Sequence, residues 1–156
     1  MASPRGEPGV PANLGTALRF DDLCEVTNTR AATAALKVKV FRSQPVPRER
    51  RPLALLEKHP CSTQLFIPMN ASRYIALVSL GGDRPDLSTL AAFVAEGPQG
   101  ISYGPGVWHH PMLTLDSQTD FVVFVHEDGT PEDCVVVHRD GAAWPELDLV
   151  SVPAKV

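Results

Sequence analysis

The chain has 156 residues, 44% hydrophobic and 21% charged, with 14 Lys and Arg against 18 Asp and Glu for a formal charge of -4. That length suits one domain around a single buried core, and the acidic balance supplies no basic surplus for a phosphate backbone, so nucleic acid is not an expected partner. No apolar run approaches the roughly 20 residues of a spanning helix. The opening Met1-Ala-Ser-Pro-Arg-Gly-Glu-Pro-Gly9 lacks the apolar stretch of a signal peptide, so a soluble, cytoplasmic protein without a membrane partner is expected.

Residues 1–14 are rich in Pro, Gly and small side chains without periodicity and read as a flexible arm. Residues 15–156 then form the single expected domain. Leu36-Lys-Val-Lys-Val-Phe-Arg42 alternates as a strand does, with Leu36, Val38, Val40 and Arg42 on one face and Lys37, Lys39 and Phe41 on the other. A basic, Pro-rich loop from Ser43 to Pro52 follows, then a strand beginning at Leu53–Glu57 and stopping at Pro60. Thr63–Met69 alternates Gln64, Phe66 and Pro68 against Leu65 and Ile67, with Pro68 marking a strand end. Tyr74–Leu80 is nearly all apolar, which predicts a central strand covered on both sides.

After the Gly81-Gly82-Asp83 turn, Asp86 is a candidate N-cap, and Leu87, Leu90 and Val94 at helical spacing predict one short helix of about three turns ending before Gly97. Ile101–Tyr103, Met112–Leu115, Phe121–Val125 and Val135–His138 complete a set of short strands separated by Gly, Pro and Asp. Such spacing points to a mainly β fold, an antiparallel sandwich or small barrel. The sequence carries no phosphate-binding glycine loop. Cys24, Cys61 and Cys134, odd in number and far apart, read as reduced thiols.

Gly104-Pro-Gly-Val-Trp-His-His-Pro111 is the most informative segment. Its turn residues fix the backbone, and Pro111 biases His110 to an extended conformation, so His109 and His110 point to opposite faces and one of them is structural. Glu57 and His59, two residues apart, face one side and could serve as an acid/base pair. Arg42 continues an apolar face and needs an anionic partner, which a substrate carboxylate would satisfy as well as a surface ion pair. Gln64, Tyr103 and Trp108 are candidates for lining a pocket, with a core role as the alternative for each. Spacing assigns no metal ligands, because there is no His-x-His and the donors would come from distant strands.

The ordered set Leu56-Glu-Lys-His-Pro60, Ser62–Met69, Gly82–Phe93, Gln99–Tyr103, Gly106–Pro111 and Thr119-Asp120-Phe121 resembles the ureidoglycolate lyase family over about 110 residues. Asn13-Leu-Gly-Thr-Ala17 resembles a further motif from nearer the family's N-terminus, and Lys58 stands where arginine is commoner. The resemblance implies a cupin-like β-barrel or jelly roll, a homodimer, and elimination of urea from ureidoglycolate to give glyoxylate in allantoin breakdown. No cofactor is assigned; some members are described as nickel-dependent, so a nickel-assisted version of that reaction stays open beside a metal-free one. Combined with the chemistry, it implies that Arg42 holds the substrate carboxylate and Gln64 the carboxylate or urea end. His109 or His110 would transfer protons with Glu57 or His59 as complement, while Tyr103 and Trp108 shape the pocket. A binding module without turnover and a hydrolase that releases ammonia stay open as alternatives.

Overall fold

The computed structural model describes residues 8–70, 73–141 and 143–153. In chain order the strands are β1 (Val10–Ala12), β2 (Ala17–Arg19), β3 (Ala35–Ser43), β4 (Arg50–Pro52), β5 (Leu55–Lys58), β6 (Gln64–Pro68) and β7 (Tyr74–Ser79). They continue as β8 (Ala91–Ala95), β9 (Ile101–Tyr103), β10 (Trp108–His109), β11 (Leu113–Thr114), β12 (Thr119–Glu127), β13 (Val135–His138) and β14 (Glu146–Asp148). All named pairings are antiparallel, so the mainly β fold expected from the short, turn-bounded strands is the one observed.

Two sheets carry the architecture. One runs β3-β12-β6-β9; in the other β7 pairs with β8 along one edge and with β10 and β11 along its second, and β10 continues through β5 to β13. Phe66, Tyr74, Ala95, Tyr103, Phe121 and Val123 fill the space between the sheets. A second core behind the other sheet holds Leu53, Leu56, Ile75, Leu77, Trp108, Leu113, Leu115, Trp144 and Leu149. Alternate residues of β7 feed both cores, Tyr74 the first and Ile75 and Leu77 the second, which is why this strand reads as an unbroken apolar run. Each such large side chain contributes about 1.5–3 kcal/mol by leaving water.

The expected three-turn helix is absent. Asp86 does cap, accepting from the Ser88 amide at 3.0 Å, but only a single 3-10 turn, Leu87–Thr89, follows before the chain extends into β8. An isolated three-turn helix is marginal, whereas Ala91–Ala95 gains a five-residue ladder on the open edge of β7. The turn before it requires glycine: Gly81 has φ +139° and a Cβ there would lie 2.2 Å from the Arg84 carbonyl oxygen. In the expected arm, residues 10–12 form β1 and pair with β2, while residues 1–7 lie outside the described part. Cys24, Cys61 and Cys134 are free thiols.

The apolar face of β3 is turned outward. Leu36, Val38 and Val40 are 50%, 62% and 59% exposed; Phe41, on the other face, meets Phe66 edge-on but is itself 45% exposed. On the neighbouring β12, Val122 and Phe124 lie opposite Val40 and Val38, so the exposed apolar surface spans two strands.

Candidate active site

Strand pairing between β5 and β10 sets Glu57 opposite His109, both toward the space between the sheets. Glu57 and His59 share a side, as their two-residue spacing predicts, and the His59 ring stacks on His109 with centroids 5.7 Å apart. Tyr103 lies flatter against His109, at 4.1 Å and 10° between planes, and its cross-strand partner is Gln64. The Gly104-Pro-Gly106 turn is tied to the same place, since the Gly106 amide donates to the His59 carbonyl at 2.9 Å. Four strands and the segment just after β5 thus bring Glu57, His59, Gln64, Tyr103 and His109 together.

Hydrogen bonding decides the imidazole tautomers. His59 Nδ1 lies 2.7 Å from the Asp133 carbonyl oxygen and His109 Nδ1 2.9 Å from that of Val107. A carbonyl only accepts, so both Nδ1 atoms carry a proton, and in the neutral ring each Nε2 presents its lone pair. Neither Nε2 has a hydrogen-bond partner, and neither have Gln64 Oε1 and Tyr103 Oη, although all four atoms are buried. Leaving such an atom unpaired costs about 1–3 kcal/mol. Four of them converging in one interior mark a place built for a ligand.

Electrostatics keep the groups in defined states. Burial lowers the His59 pKa and so favours the neutral ring. Burial pushes the Glu57 carboxyl up, but hydrogen bonding and charge from a protonated His109, whose Nε2 is 3.5 Å from Oε1, and from the other imidazoles when they are protonated outweigh it, so the net shift is downward. Burial raises the Tyr103 phenol well above its ordinary range, which keeps it an O–H donor. Burial, followed by the Glu57 charge, pushes the Cys134 thiol up to about 11.

The ligand atoms of Glu57, His59 and His109 all lie within 4.8 Å of one another. Two imidazole nitrogens and one carboxylate fit a borderline divalent metal such as nickel. Spacing had assigned no metal ligands; the donor set exists because strand pairing joins residues about 50 positions apart.

Three candidates lie elsewhere. His110 is half-buried on the other side of the segment, with Nδ1 2.6 Å from the Pro111 carbonyl, so His109 is the inward histidine. Trp108 belongs to the core behind the sheet, where its Nε1 donates to the Gly82 carbonyl at 3.1 Å and Lys58 Nζ sits 4.6 Å from its ring centroid. Arg42 projects from the outer face of β3 and is paired with Asp120, its cross-strand neighbour, at 2.8 and 2.9 Å. It is thereby satisfied on the surface, at the opposite end of the sheet from Gln64, and does not reach the interior.

Two contributors were not singled out by the sequence. Cys134 Sγ is 3.9 Å from Glu57 Oε2, and Lys39 Nζ is bonded to both carboxylate oxygens of Glu127 at 2.6 and 2.7 Å. Inward alternation along β3 carried a signal for Lys39; Cys134 had none, because its contact depends on β13 pairing with β5.

Residues 1–144 match the family described as ureidoglycolate lyase. The chain belongs to the ureidoglycolate lyase family. A ureidoglycolate lyase of Burkholderia mallei (strain NCTC 10229) is 40% identical over 121 residues, covering 76% of this chain and 68% of the relative. One from Pseudomonas syringae pv. tomato is 37% identical over 122 residues, covering 78% and 70%. Among solved structures, a 3,4-ketoisomerase from Helicobacter canadensis is 15% identical, covers 81% of this chain and 84% of its own, and aligns with a TM-score of 0.45. In this member of the ureidoglycolate lyase family, the interior cluster comes from β5, β6, β9 and β10 and from the segment just after β5.

Proposed function

We propose that this chain is a ureidoglycolate lyase that eliminates urea from ureidoglycolate and releases glyoxylate. The observation that carries the reading is the convergence of unpartnered polar atoms, His59 Nε2, His109 Nε2, Gln64 Oε1 and Tyr103 Oη, around the Glu57 carboxylate inside the barrel. Family membership supports it, and so does the substrate chemistry. One carbon of ureidoglycolate bears a hydroxyl, a carboxylate and the urea nitrogen. Breaking the carbon–nitrogen bond requires loss of the hydroxyl proton as the carbonyl forms, and a proton for the departing nitrogen.

Glu57, His59 and His109 would hold a divalent cation, nickel by family resemblance. When bound, such an ion polarises the substrate hydroxyl or carboxylate. The protein's own groups do the rest. The Gln64 amide orients the carboxylate or urea end, replacing the clamp that Arg42, held on Asp120, does not provide. Tyr103, kept protonated by burial, donates a hydrogen bond to the reacting end of the substrate. In the metal-free form His109, with its Nδ1 proton fixed on Val107, moves protons through Nε2 with Glu57 beside it as complement; with a cation held there, both serve as its ligands instead. The stacked rings of Tyr103, His109 and His59 exclude water from the reacting carbon.

The functional unit is a homodimer, paired through the outward apolar face of β3 and β12. Support comes from Leu36, Val38 and Val40, a contiguous exposed row of the kind that marks a contact with another chain.

The deciding experiment is a timed assay of metal-stripped protein on each ureidoglycolate enantiomer, detecting urea, ammonia and glyoxylate, and then repeated with nickel. Urea and glyoxylate in equal amounts are expected. Ammonia in place of urea would make the chain a hydrolase, and binding with no product would make it a ligand-binding module.

A further inference from the structure

The turn joining β12 to β13 is tied down more heavily than a surface connection requires. The Asp133 carboxylate accepts from the amides of Asp128 and Gly129, the latter at 2.7 Å, and is paired with Arg30. Asp128 accepts from Arg30 at 2.9 Å and from the Thr33 hydroxyl at 3.0 Å. Arg30 also donates to the Thr130 hydroxyl at 2.9 Å, and its own amide is held by Asn28 Oδ1 at 2.9 Å. The Arg30 side chain is only 14% exposed, and its charge is committed to fixing one turn.

What that turn presents to the interior gives the arrangement its use. The Asp133 carbonyl accepts a hydrogen bond from His59 Nδ1–H at 2.7 Å, and the next side chain, Cys134, places its thiol 3.9 Å from Glu57 Oε2. One dipeptide therefore touches two of the three donors, from behind. Partners of this kind orient ligands and fix tautomers.

We propose that Asp133 and Cys134, braced by Arg30, are positioning residues: the carbonyl sets the His59 tautomer and the thiol sets the Glu57 carboxylate, so that both converge with His109 on a bound cation. The cation part rests on the metal reading above; the tautomer part does not.

The test uses the full chain with Arg30→Met, Cys134→Ala and Cys134→Ser, each checked for folding by thermal unfolding. The first measurement is imidazole nitrogen–proton correlation NMR on metal-free protein. Wild type should show His59 protonated at Nδ1, and Arg30→Met should show a mixture of tautomers. The second is nickel affinity by competition with a chromophoric chelator. Arg30→Met and Cys134→Ala should each weaken it about 10- to 100-fold, and Cys134→Ser, which keeps an X–H donor, should recover part of that loss. If Arg30→Met does not fold, Cys134→Ala, which removes only a thiol, carries the affinity measurement. An unchanged His59 tautomer together with nickel affinities within threefold of wild type would overturn the proposal. If wild type binds no nickel yet Arg30→Met still scrambles the His59 tautomer, the metal reading fails and the positioning role stands.

Discussion

His109 and His110 are neighbours of the same residue type, and their replacement by asparagine should have very different consequences. His109 is 1% exposed, its Nε2 is a donor of the interior cluster, and its ring stacks on Tyr103. His109→Asn removes a proton-transfer group, an effect of about 10²–10⁴ in rate. A loss near 10³ corresponds to about 4 kcal/mol of transition-state stabilisation. The cost to folding is smaller: the Nδ1 bond to Val107 contributes about 1 kcal/mol and the lost packing about as much again. A chain of this size should then melt roughly 4–8 °C lower. His110 bonds only the carbonyl of the next residue and faces away from the cluster, so His110→Asn should stay within about threefold of wild type. The assay is the initial rate of urea and glyoxylate release at a temperature where both variants are fully folded. Equal losses in the two variants, or a larger one in His110→Asn, would refute the assignment of His109 as the inward, reacting histidine.

Four further outcomes are expected. Nickel at 100 times its dissociation constant should stabilise the metal-stripped protein by about 2.7 kcal/mol; a melting temperature indifferent to nickel up to millimolar concentration would argue against the Glu57–His59–His109 site. Arg73, followed by burial that opposes it and by Arg48, holds the Asp116 carboxyl down at about 2 against an ordinary 3.8, so the unfolded chain takes up the proton first. That contribution is complete well above pH 3.8 and is lost as pH falls toward 2, and the stability difference between wild type and Arg73→Met in urea should shrink over the same window. Burial depresses His59 and His110 as well, so stability should already begin to decline as pH drops below their unfolded value of 6.5; flat urea midpoints from pH 7 to 5 would contradict this. Finally, Val38→Asp with Val40→Asp should give a monomer by light scattering where wild type is a dimer, and a monomeric wild type would remove the proposed interface.

The strands were legible because a period of two is a local property. Ile101–Tyr103 and Val135–His138 were located to the residue, β7 was recognised as doubly covered, and Gln64 and Phe66 were placed on one face. Local spacing likewise put Glu57 beside His59 and made His109 and His110 diverge. Where it failed, a tertiary contact had outweighed it. The helical spacing of Leu87, Leu90 and Val94 lost to the vacant edge of β7. The apolar row of β3 was read as needing an anion at Arg42, from a substrate or a surface ion pair; the row is the outside of the sheet, and the surface pair with Asp120 is the one formed.

Composition and alternation determined that this chain would be a mainly β protein with His, Glu, Gln and Tyr at its strand ends, and the ordered motifs determined its family. Only the tertiary structure decided which face of each strand is inside. Alternation says which residues share a side, but it is symmetric under exchange of the two sides. That symmetry is broken only when β10 pairs with β5 and β7, turning His109 into the space between the sheets and Trp108 into the core behind, and joining Glu57, His59 and His109 into one site.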